Sequence, residues 1–200
     1  MKKFAVIAAA FTFAILSTAA FAQQGDVGFG FGTIMSPGAA QCNSISGCPE
    51  KGGLYPNVSV DVIFHKRIGF AYDVTWRGGQ GNYGGTGQPY RPIINTFDAI
   101  YQPRVGKKVG LDLKAGIGIE SVRYYSYQNT TSCIYFNACF NSSDHFLFNV
   151  GGGIRYYVWN HVFVRPEVNY YWIHNNTADF SSNNIIHVGA TIGYTIGGPE

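Results

Sequence analysis

The stretch Val109-Gly-Leu-Asp-Leu-Lys-Ala-Gly-Ile-Gly-Ile-Glu120 places an apolar side chain at every odd position and a glycine or a charge at every even one. A strand sends successive side chains to opposite faces, whereas a helix groups positions three and four apart, so this period of two predicts a strand with one greasy and one polar face. The same alternation returns at Ile186, Val188, Ala190, Ile192, Tyr194 and Ile196, and again at Ile68, Phe70, Tyr72, Val74 and Trp76. Shorter or less regular versions occupy Val27 to Phe31, Val58 to Phe64, Phe146 to Tyr156 and Val162 to Trp172. An eighth segment, Ile94 to Gln102, reads as a strand whose phase stays open. Pro166 has no N–H for a ladder, so the strand around it is expected to have a bulge or an irregular start.

The connections alternate in length. Short links fall near His65 to Arg67, Arg104 to Lys108 and Trp159 to His161; long ones cover Met35 to Gly53, Gly78 to Arg91, Ser126 to Asp144 and Asn175 to Asn184. Four long loops and three short turns imply eight antiparallel strands with both chain termini on the inner, short-turn side. The expected fold is all-β, a closed eight-stranded antiparallel up-and-down barrel formed by residues 23–200 as one domain.

Ahead of the barrel, Lys2 and Lys3 precede the apolar run Phe4 to Leu16, and small residues follow to Ala20-Phe21-Ala22. This is the layout of a cleaved signal peptide over residues 1–22; its apolar run is shorter than the roughly 20 residues a spanning helix needs. Nothing after it approaches that length, so a membrane span must be made of strands. Charged residues are 12% of the chain, about half the share usual in soluble domains. The basic residues are scattered, with a net charge of +3, which argues against a nucleic-acid partner.

Periodicity alone does not say whether the greasy face points outward. The polar face is mostly Gly, Thr, Ser and Asn with few lysines, a poor coat for a soluble protein and a good filling for a narrow lumen. Trp76, Tyr101, Tyr124, Phe146, Trp159, Tyr170, Trp172 and Tyr194 fall near strand ends, where membrane barrels carry aromatic girdles. The expected arrangement is therefore transmembrane, with hydrocarbon outside. The polar face would then enclose Asp61, Asp73, Arg77, Asp112, Lys114, Glu120, Arg155, Arg165 and Glu167. Four positive and five negative groups nearly balance, as an interior salt-bridge network requires.

Cys42 and Cys48, and likewise Cys133 and Cys139, form two pairs of equal spacing in long loops of an exported chain. Disulfides are expected there, with connectivity left open. A zinc site would call for closer spacing. The five histidines, His65, His145, His161, His174 and His187, sit mostly at turns and strand ends, and neither a Gly-x-Ser-x-Gly elbow nor a His-Glu-x-x-His helix is present. No catalytic residue, metal or cofactor is expected. Tyr83, Tyr90, Tyr135, Phe136 and Phe140 lie in the long loops, either as contacts for a partner or as a cover for the barrel mouth.

The segment Gly151-Gly-Gly-Ile-Arg-Tyr-Tyr-Val-Trp-Asn-His-Val-Phe-Val-Arg-Pro-Glu-Val-Asn-Tyr-Tyr171, followed by Val188-Gly-Ala-Thr-Ile-Gly-Tyr-Thr-Ile196, is similar to the last three strands of exported barrel domains. Over the whole mature sequence the chain resembles the small outer-membrane β-barrel proteins of the OmpA and OmpX type. The resemblance implies a monomeric bacterial outer-membrane protein without an open pore, in contact with outer-membrane lipid and, through its loops, with an extracellular partner. A structural or surface-interaction role, adhesion included, is the expectation. An outer-membrane barrel enzyme and a soluble, secreted, lipocalin-like ligand binder are the alternatives.

Overall fold

Nine strands follow one another in the computed structural model, which describes residues 24–39, 48–64, 67–83, 87–125 and 140–197. They are β1 (Gln24–Met35), β2 (Tyr55–Ile63), β3 (Ile68–Trp76), β4 (Gly81–Tyr83), β5 (Gln88–Tyr101), β6 (Val109–Tyr125), β7 (Phe140–Tyr157), β8 (Val162–Ile173) and β9 (Asn184–Ile196). Each long strand pairs antiparallel with its neighbours in sequence, β1 pairs with β9, and β3 pairs with β5 across the short β4. β4 pairs only with the outer end of β5. The wall is thus a closed barrel of eight strands, and β4 makes a small hairpin inside the expected Gly78 to Arg91 loop. A 3-10 turn at Asn176–Ala178 lies between β8 and β9.

The faces are inverted relative to a soluble protein. Phe29, Phe70, Phe97, Leu113, Ile117, Phe148, Val150 and Ile192 are exposed on the outer wall, while Asp61, Asp112, Arg155 and Arg165 are buried in the lumen. An apolar surface this continuous is stable only against something as apolar as itself. Along β6 the outward residues are apolar from Val109 to Ile119 and then turn polar at Ser121 and Arg123. The ten steps from Val109 to Ile119, at about 3.3 Å each and tilted by roughly 40°, rise about 25 Å, the height of the apolar band on outer-membrane barrels. The strands run on past this band at the long-loop end, so the barrel stands proud of the membrane on the extracellular side.

Pro166 sits in the middle of β8 without a bulge, which corrects the expectation of an irregular strand. β8 stays in register with β9, Pro166 lying opposite Ala190. Its ladder with β7 lapses between the pairs Gly153↔Glu167 and Tyr156↔Val164 and resumes in the same register. The missing N–H thus costs a local gap rather than an extra residue, and the ring projects to the outer wall.

Close approach explains Gly28, Gly30 and Gly32 of β1. A Cβ on Gly30 would stand 2.5 Å from the Ala190 carbonyl oxygen and 2.4 Å from Asn57 Oδ1. Only a residue without a side chain leaves room there for the lumen side chains of β2 and β9.

Candidate functional site: a lumen closed by ion pairs and an apolar layer

At the centre of the lumen Arg155 of β7 and Arg165 of β8 share the same two acceptors. Arg155 Nη2 donates to Asp112 Oδ2 at 2.9 Å and to Asp61 Oδ2 at 3.3 Å; Arg165 Nη1 donates to Asp61 Oδ2 at 2.9 Å and to Asp112 Oδ2 at 3.0 Å. Arg155 Nη1 also donates to Asp26 Oδ2, and Arg165 pairs with Glu167 at 2.9 Å. Lys114 Nζ donates to Asp73 Oδ2 at 2.8 Å and lies 3.9 Å from Asp61 Oδ1. The buried Phe163 ring lies 4.1 Å from the Arg155 guanidinium carbon, a cation–π contact. These side chains come from β1, β2, β3, β6, β7 and β8, so the charges staple opposite walls of the barrel together. Asn57 and Thr191 extend the network by donating to Glu167 Oε1, each at 3.0 Å.

Seven of the nine lumen residues read from the sequence meet in this band: Asp61, Asp73, Asp112, Lys114, Arg155, Arg165 and Glu167. Arg77 and Glu120 do not join it, which corrects their expected place. Arg77 stands at the mouth, where Nη1 donates to the Tyr90 hydroxyl at 3.1 Å and the guanidinium faces the rings of Tyr55 and Tyr90. Glu120 lies higher on β6, beside Glu50. Asp26 belongs to the band and was not read from the sequence, although it holds the polar phase just before Val27.

Above the ions the lumen turns apolar. Ile34, Tyr55, Ile94, Leu147, Tyr171, Ile173 and Ile185 form one buried cluster. They occupy the phase that was expected to be polar throughout. A smaller cluster, Ile63, Ala71 and Ile100, closes the periplasmic end.

At the mouth the segment before β2 folds inward and carries Glu50 against Glu120, both fully buried. The Tyr55 hydroxyl donates to Glu50 Oε1 at 3.3 Å. Burial pushes the Glu50 carboxyl above the usual carboxylate range, against the weaker downward pull of its hydrogen bonds and of Arg77 and His145. Over this pair Tyr90, Val122 and Phe180 pack with Tyr83 and Tyr124. Tyr83 and Tyr90 therefore cover the mouth rather than project as partner contacts. Tyr135 and Phe136 lie outside the described residues, and Phe140 is exposed under the Arg123 guanidinium, 4.8 Å away.

Ser143, His145 and Asp179 also come together at the mouth. His145 Nε2 lies 3.0 Å from Ser143 Oγ and 2.8 Å from Asp179 Oδ2. Both contacts are to one ring nitrogen. A catalytic triad needs the carboxylate on one nitrogen and the nucleophile on the other, so this group is a structural knot in the form seen here. No group of three or more His, Cys, Asp or Glu among the described residues is arranged to hold a metal ion. Cys48 is disulfide-bonded. Cys42, Cys133 and Cys139 lie outside the described residues, as do the expected signal peptide and His65.

An eight-stranded wall, apolar outside and ion-paired inside, with short turns at one end and long loops at the other, defines the class of small outer-membrane barrels. A family model described as the outer membrane protein beta-barrel domain matches residues 6–194, and the chain belongs to that family, whose place is the bacterial outer membrane. Among solved structures the fold is similar to Neisserial surface protein A, with a TM-score of 0.58 at 13% identity over 86% of this chain and 95% of that one. It is similar to the N-terminal barrel of Pseudomonas aeruginosa OprF, with a TM-score of 0.56 at 11% identity over 88% and 98%. It is similar to Ail of Yersinia pestis, solved with the heparin analogue sucrose octasulfate, with a TM-score of 0.54 at 12% identity over 86% and 98%. No curated protein matches in sequence.

Proposed function

We infer that this chain is a non-conducting, non-catalytic surface-interaction protein: the barrel anchors, and the extracellular rim makes the contacts. The observation that carries this reading is the doubly closed lumen, in which the Asp61–Asp112–Arg155–Arg165 cluster lies beneath the apolar layer around Leu147 and Ile173. A barrel so filled has its lipid wall and its two rims left to work with.

Adhesion is the finer reading. Arg91 and Arg123 stand directly opposite one another on β5 and β6, on the outward face just beyond the apolar band. Like charges facing across a ladder repel, so the pair favours an anionic contact, such as a sulfated or phosphorylated surface glycan. Ail, a barrel of the same fold, was solved with a polysulfated sugar, which is a property of that protein and a guide to the ligand class to try here.

The test has two arms. Purified protein in planar bilayers is expected to give no stepwise ion current, and cells displaying it are expected to bind a sulfated-glycan surface. Binding should fall severalfold for Arg91→Gln/Arg123→Gln and vanish when the four loop tips are deleted. Regular conductance steps, or binding untouched by both changes, would overturn the reading.

A further inference from the structure

At the periplasmic end two short connections lie against each other. The β5–β6 turn is held by the Val105 and Gly106 amides, which both donate to the Val109 carbonyl at 3.0 Å. The Tyr157 amide ties the β7–β8 side to it, donating to the Lys108 carbonyl at 2.9 Å. Between them opens a groove of about 940 Å³ with Arg104, Lys107 and Lys108 on one flank and Trp159, His161 and Tyr194 on the other. Among the described residues no Asp or Glu lines it. The three cations are exposed, and Trp159 is 70% exposed, an unusual state for an indole unless something apolar lies over it.

A second crease, of about 510 Å³, climbs the outer wall from the same place. It is lined by Val27, Phe29, Val58 and Ile192, and it shares Val162 and Tyr194 with the basic groove. A cationic, aromatic cleft at headgroup level is thus continuous with an apolar furrow in the hydrocarbon. These are the two halves of a lipid binding site, joined in the order a lipid has them.

We propose that this cleft holds one anionic glycerophospholipid of the inner leaflet, of the phosphatidylglycerol class. Its phosphate sits among Arg104, Lys107 and Lys108, its glycerol lies against Trp159 and Tyr194, and one acyl chain follows the furrow beside Phe29 and Ile192. Basic groups at a membrane surface recruit anionic lipid. Trp and Tyr settle at the interface. A zwitterionic headgroup would bring its ammonium into a groove where none of the described lining residues is an acid to receive it. The glycolipid of the outer leaflet is on the wrong side of the membrane.

Trp159 is a natural reporter. The chain has three tryptophans, so Trp76→Phe/Trp172→Phe leaves it alone. In phosphatidylcholine vesicles doped with phosphatidylglycerol brominated near the glycerol, Trp159 fluorescence is expected to be quenched at about a tenth of the mole fraction that brominated phosphatidylcholine requires. Arg104→Gln/Lys107→Gln/Lys108→Gln should erase that preference while the unheated protein keeps its folded gel mobility. If the triple variant does not fold, Lys107→Gln/Lys108→Gln, confined to the exposed turn, should reduce the preference severalfold. Equal quenching by the two brominated lipids in the unsubstituted groove, or a preference that survives the charge changes, would overturn the proposal. So would displacement of the lipid by a soluble acidic cell-wall peptide, which would make the groove a cell-wall contact instead.

Discussion

Glu50 lies against Glu120 in the barrel mouth with both side chains shielded from solvent, an acid from a loop meeting an acid from the wall. Two such neighbours do not both ionise at once, so the closed mouth keeps a proton on at least one of them. For Glu50 burial lifts the folded value above the ordinary 4.5, so the stabilisation is complete below that value and is lost as pH rises through the folded one. The groups around the pair are Tyr55, Tyr90, Arg77, His145 and Asp179. Proteolysis in residues 48–54, normalised to the protease's rate on an unfolded substrate at each pH, is expected to quicken as pH rises above the ordinary glutamate value. Glu120→Gln should donate to Glu50, keep the segment closed and flatten that dependence. A profile as steep in the variant as in the parent would exclude the acid pair as its cause.

The shared acceptors of Arg155 and Arg165 make the ionic band fragile to single changes. Arg165→Met leaves the buried Asp61 and Asp112 with less compensation and should cost about 3–5 kcal/mol. Arg165→Lys should recover only part of this, because one ammonium does not span Asp61, Asp112, Ser59 and Glu167 as the fork does. Urea unfolding, followed by the loss of the fast-migrating unheated form on a gel, measures both. Full stability of the lysine variant would show that charge alone, without the fork, is enough.

Face was legible in the sequence and height was not. The alternation in Val109 to Glu120 and in Ile186 to Ile196 assigns each residue to wall or lumen, since that depends on the local pleat alone. Where a lumen residue sits along the barrel axis depends on the stagger between strands, which is a property of closure. Hence Arg77 and Glu120 share a phase with Asp73 and Lys114 but stand a layer above them. Glu50 escaped notice because a loop residue enters the lumen only after the chain folds back on itself. Ile94, Leu147, Tyr171 and Ile173 escaped because an apolar residue on the polar phase looks like noise in one strand and becomes a layer only when several strands place theirs at one level.

Gly25 and Gly30 lie on the same strand but face different amounts of space. A Cβ on Gly25 meets nothing within 4 Å, whereas on Gly30 it runs into the Ala190 carbonyl and the Asn57 and Thr191 side chains at 2.4–2.5 Å. Gly30→Ala should therefore cost about 1–3 kcal/mol, in the manner of an overpacked core, and Gly25→Ala close to nothing. Parallel unfolding curves decide it; equal midpoints would mean that the lumen is loosely filled near Asn57 rather than packed.

Val150 and Ser142 share the outward face of β7 and differ in depth. Val150, 61% exposed, lies beside Ala115 within the apolar band, and Ser142 lies beside Arg123 beyond it. An arginine at Val150 must take its charge into hydrocarbon or stretch to reach the headgroups, at a cost of about 2–4 kcal/mol near the midplane, falling toward zero at the interface. Ser142→Arg, which meets Arg123 across the ladder, should lose no more than about 1 kcal/mol in vesicles, while Val150→Arg should unfold at markedly lower urea. The contrast separates lipid from water directly, because on a wetted wall an exposed valine gives way to arginine at little cost. A Val150→Arg protein as stable as Ser142→Arg would place water against that wall.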